Sequence, residues 1–125
     1  MVPLPVGLLK VERAQLVTFS GDFLKIADPV VEVYEDAHSR RLLRGRGFIH
    51  NRSMVELLEK NDSFDIVLDF GDKIFFLLTD PLIQVGKVFD EKVFSTMHFS
   101  IGKRIEEIST ARAEKLFKIR AEELY

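Results

Sequence analysis

The chain contains no cysteine and no tryptophan. Without a thiol, disulfides, thiolate zinc sites and cysteine nucleophiles are excluded by inventory. No apolar run approaches the roughly 20 residues that a helical membrane span needs. The start, MVPLPVGLLKVERAQ, lacks a basic segment followed by an apolar stretch and a small-residue cleavage site, and Pro3 and Pro5 interrupt it, so no export signal is expected. The two sequons, Asn51-Arg52-Ser53 and Asn61-Asp62-Ser63, are then read as chance matches. Charge of one sign is also missing. Lysine and arginine number 18 against 20 acidic residues, for a net charge of −2, which gives no overall field to draw the chain onto a polyanion or an anionic membrane.

What is present suits one folded domain. In 125 residues, 46% are hydrophobic and 30% charged, and the mean hydropathy of +0.05 lies on the globular side of the boundary with disordered compositions. The pattern is mostly of period two. Residues 8–19 (LLKVERAQLVTF) read as a long first strand, Ser20-Gly21-Asp22 as a turn, FLKIA as a short strand and Asp28-Pro29 as a second turn. VVEVYE at 30–35 and residues 40–49 read as strands joined by Asp36-Ala37-His38-Ser39. The period then changes: Ser53 with Glu56 forms a capping box ahead of Met54, Leu57 and Leu58, which predicts a short helix near 53–60. Strands follow over 64–79, 82–89 and 93–101. Residues 104–125 contain no glycine or proline and carry Ile105, Ile108, Leu116 and Ile119 along one stripe, the pattern of a charged amphipathic helix or arm. The expected fold is mainly β, an antiparallel β-sandwich or partly closed β-barrel over 1–103 with one short helix, followed by that C-terminal helix.

The most informative stretch is Phe64–Leu78, FDIVLDFGDKIFFLL. If Gly71 and Asp72 form a two-residue hairpin turn, Leu68 pairs with Phe75 and Ile66 with Leu77 on a core face. The same register sets Val67, Ile74, Phe76 and Leu78 on the opposite face. Leaving such side chains wet would forgo roughly 1.5–3 kcal/mol each, so something should cover them: either a helix of the same chain or a second subunit. Under the second reading Val67, Ile74, Phe76 and Leu78 are interface residues.

The densest charge feature is RRLLRGRG, where Arg40, Arg41, Arg44 and Arg46, with Arg52 nearby, are candidates for polyanion or ion-pair contacts. Readers of single-stranded nucleic acid interleave such cations with exposed aromatics, and here only Phe48 is at hand. Gly45 and Gly47 make a GxG without the helix a phosphate loop requires. His38, His50 and His98 fall into no metal-binding spacing, and Asp62, Asp65, Asp69, Asp72 and Asp80 fit turns and strand rims. No catalytic, metal or cofactor motif stands out, and a non-enzymatic role is expected.

In its order of elements the chain resembles phage tail-tube proteins over residues 8–103. The points of contact are the helix SMVELLEK between two strands, the FDIVLDFGDK hairpin and the strand DPLIQVGKVF after it. The resemblance implies a β-sandwich flanked by a short helix, a homo-oligomer that assembles into rings, usually hexameric, and stacks into a tube through which DNA or effectors pass. It further implies location in a virion or host cytoplasm and contacts with other tail or injection-machine proteins. A small β-barrel nucleic-acid-binding module using Arg40–Arg52 is the alternative.

Overall fold

The computed structural model describes residues 4–86 and 93–117. Within them the chain is mainly β, an antiparallel sheet curled into a half-barrel with two helices. The strands are β1 (Gly7–Lys10), β2 (Arg13–Val17), β3 (Phe23–Glu35), β4 (Arg41–His50), β5 (Asp65–Asp69), β6 (Phe75–Thr79), β7 (Leu82–Val85), β8 (Phe94–Ser100) and β9 (Arg104–Ile108). Helix α1 (Asn51–Lys60) follows β4, and α2 (Thr110–Phe117) follows β9. The spatial order is β7-β8-β4-β3-β2-β5-β6-β9, with β1 pairing on β3.

The curl originates in β3, which belongs to both halves. Its first part, Phe23–Ile26, pairs with β2 in what we call the back sheet (β2, β5, β6, β9). Its second part, Val30–Glu35, pairs with β4, and Val30–Val33 also with β1, in the front sheet (β1, β4, β8, β7). Between them Asp28-Pro29 is not the turn its composition predicts but a bulge, where two residues oppose Gly47 alone and the register shifts. Proline is tolerated there because the ladder already lacks a bond, and Asp28 takes the left-handed conformation at φ 49°. Gly47 makes the corner possible: a Cβ on it would stand 2.3 Å from Ile26 Cγ2 and 2.9 Å from the Ala27 carbonyl oxygen. The predicted long first strand breaks at the same level. Lys10 pairs with Val30 in the front sheet, Ala14 with Ile26 in the back sheet, and Val11-Glu12 crosses between them.

The two sheets enclose the main core, in which Leu16, Ile26, Leu43, Ile66, Leu68 and Phe76 are buried. Met54 of α1 joins that core. The helix is capped three residues before the expected Ser53. His50 is its N-cap, its imidazole accepting the Ser53 amide, and the Ser53 hydroxyl lies 2.8 Å from the same ring nitrogen. At the other end the Asn61 side chain donates to the Leu57 carbonyl and accepts from Ser20 Oγ at 3.0 Å, tying α1 to the β2–β3 turn.

Two further expectations change. Arg104–Ile108 is strand, pairing with β6, and the C-terminal helix starts only at Thr110, where Ser109 accepts the Arg112 amide. Of the expected stripe, Ile119 lies outside the described residues, as do 87–89 of the strand expected over 82–89. Phe117, off the stripe, is buried.

Candidate functional site: an open sheet face

The hairpin turns one residue later than a Gly71-Asp72 turn requires. Its loop is Gly71-Asp72-Lys73, all three at positive φ, closed by the Phe70 amide donating to the Ile74 carbonyl at 2.9 Å. A slip of one residue sends every side chain of one strand to the other face. Leu68 therefore pairs with Phe76 and Ile66 with Leu78, all four in the main core, and Val67 pairs with Leu77 on the outside. The second apolar face exists with different members: Val67, Phe75 and Leu77, with Val17 and Ile108 beside them. It is covered by the same chain. Ala113 and Phe117 of α2 pack onto it, the Phe117 ring meeting Phe75 edge-on at 6.3 Å, with the Arg13 guanidinium 4.0 Å over Phe117. Of the four residues expected at an interface, Val67, Phe76 and Leu78 are thus buried within one chain, and Ile74 is partly exposed at the hairpin end.

The arginine stretch lies on β4 and its flanks, and most of it is paired. Arg40 donates to Asp36 at 2.8 Å, Arg44 to Glu32 at 2.6 Å while lying over the Tyr34 ring, and Arg52 faces Glu56 at 4.0 Å. Arg41 donates to the Leu4 carbonyl and stands 3.8 Å from Glu35. Arg46 alone of the five has no carboxylate partner among the described residues. The Asp36 carboxylate also accepts the Arg40 and His38 amides, and the Arg40 amide, foremost, holds its pKa below the usual value.

The aspartates serve local structure. Asp65 accepts the Asp80 amide, and Asp69 accepts the Gly71 amide and the Arg13 guanidinium, each between 2.9 and 3.0 Å. Among the described residues no group of His, Asp or Glu is placed to hold a metal ion. Nor is any helix among them long and apolar enough to cross a membrane.

What sequence reasoning missed is the outer face of the front sheet. Strand β4 alternates strictly: Leu43, Gly45, Gly47 and Ile49 point to the core, and Arg44, Arg46 and Phe48 point outward. The register aligns Leu8, Glu32, Arg44, Ser100 and Leu82 in one row across five strands. The next row is Lys10, Val30, Arg46, His98 and Gln84. No described element lies over them. The surface forms an open trough of about 860 Å³, with Leu8 and Leu82, 75% and 64% exposed, at its two rims. The alternation of β4 was the available signal, but the apolar rims come from β1 and β7, which only the pairing brings together.

Comparison with protein-family models, with curated proteins and with solved structures gives no match.

Proposed function

We propose that the protein is a non-enzymatic, self-assembling structural component, and that it serves a phage tail tube or a related injection machine by forming rings or stacks through sheet contacts. The observation that carries this reading is the open face of the front sheet, five strands broad and rimmed by exposed leucines, where the back sheet has its own helix for cover. Leu8 and Leu82 are apolar contact points at its margins that a docked subunit would remove from water. The support thus comes from a different place than the hairpin, whose apolar second face α2 already shields. The half-barrel with a short helix agrees with the architecture that the tail-tube resemblance implies. Strand β7, Leu82–Val85, adds an edge without a charged residue, which leaves it fit for pairing.

Polyanion binding through Arg40–Arg52 draws less support, because four of those five arginines already face carboxylates. Light scattering on a size-exclusion column over a range of concentrations, with negative-stain images, tests the assembly reading. Rings or a mass that grows with concentration support it; a strict monomer at the highest concentration refutes it.

A further inference from the structure

Resting on that reading, the structure also offers a plug for the trough. Phe19 stands at the β2–β3 tip and is fully exposed. An exposed phenylalanine alone means little, since single surface apolar residues are common. This one is held on a braced turn. The Thr18 amide donates to the Asp22 carbonyl at 3.0 Å, the Gly21 amide to the Thr18 carbonyl at 3.1 Å, and the Asp22 amide to Thr18 Oγ1 at 2.9 Å. Ser20 then ties the turn to the end of α1 through Asn61. A side chain displayed on a preset turn loses little freedom when it docks, which is the condition for an anchor.

The charges correspond as well. Asp22, beside Phe19, has no cationic partner among the described residues, and Arg46 on the trough floor has no carboxylate partner among them. Within one chain the two features stand apart along the strand: Val30, which pairs with Arg46, lies eight positions beyond Asp22, roughly 26 Å at ~3.3 Å each before the bulge bends it.

We propose that the Phe19 turn of one copy seats between Leu8 and Leu82 in the trough of the next, with Asp22 meeting Arg46. The contact is heterologous, head to tail, so it propagates into a ring if its rotation closes and into a filament if it does not.

The test uses two full-length variants, Phe19→Asp, which keeps the trough and loses the plug, and Leu82→Asp, which does the reverse. Both residues are exposed, so both variants keep the wild-type circular dichroism and the melting curve of wild type diluted to its monomer. Each alone should raise the dissociation constant of self-association by about tenfold or more. Mixed in equal amounts they should form a one-to-one dimer, because one intact plug and one intact trough remain. If wild type assembles and Phe19→Asp assembles equally well, the plug is wrong while the assembly reading stands. If each variant is monomeric but the mixture does not pair, the contact is not head to tail and the proposal fails. A wild type that stays monomeric overturns both.

Discussion

The outer faces of the two sheets differ in who covers them. On the back sheet Val17, Val67, Phe75, Leu77 and Ile108 lie under Ala113 and Phe117. On the front sheet Glu32, Arg44, Arg46 and His98 lie open between two leucine rims. The strands announce this difference. β5 and β6 are buried on both sides, reading DIVLD and FFLLT as nearly continuous apolar runs, whereas β4 and β8 alternate between buried and exposed positions. Continuous burial of a strand marks a face closed by its own chain, and alternation marks one left to solvent or to a partner. In this chain the apolar second face has its roof in α2.

Substitutions can set the two faces against each other. Phe117→Ala removes the anchor of the roof, 1% exposed, and should cost about 3–5 kcal/mol in urea unfolding. Leu82→Ala on the open face should change stability by no more than about 0.5 kcal/mol; equal losses at the two sites would abolish the distinction drawn between them. Gly45→Ala probes the inner side of the front sheet, since its Cβ would stand 2.1 Å from the Phe99 ring, and overpacking of this sort costs about 1–3 kcal/mol, read as a drop in melting temperature. Asp69→Ala removes the acceptor shared by Arg13 and the Gly71 amide, and should cost about 1–2 kcal/mol by the same urea titration.

The smallest effect belongs to pH. The Asp36 carboxyl has a pKa below its ordinary 3.8, chiefly because the Arg40 amide donates to it, so its contribution is present above pH 3.8 and is lost as pH falls through the lowered folded value. Stability of wild type should therefore fall slightly more than that of Asp36→Asn as pH drops below 3.8, and parallel curves would remove Asp36 from the account.

Much of the fold was legible in the residues. Alternation placed β4 within a residue at each end and set Ser95, Met97 and Phe99 of β8 on one buried side. Asp36–Ser39 turns the chain as expected, Ser39 taking a positive φ of 59°. The failures share a cause, which is that local chemistry does not see the strand it will pair with. Gly71-Asp72 fits a two-residue loop, but Lys73 joins it, and that one extra residue redistributed Phe75, Phe76, Leu77 and Leu78 between the two faces. Asp28-Pro29 has the composition of a turn, and only the neighbouring strand with Gly47 reveals a bulge. Arg104–Ile108 lacks any helix breaker, yet the exposed ladder of β6 outbids its helix propensity. As for the candidate site, the arginines were visible in the sequence but the carboxylate partners Glu32 and Glu35 were not, because that pairing depends on β3–β4 register; Asp36 meets Arg40 locally, four residues apart across the turn.

Strand β3 has a mechanical consequence. As one continuous chain segment hydrogen-bonded into both sheets, it couples them, so tension between its Phe23 end and its Tyr34 end loads the ladders of both lengthwise, with the Asp28-Pro29 bulge as the one compliant point along it. A particle built from such units would stiffen along the direction in which these strands are laid.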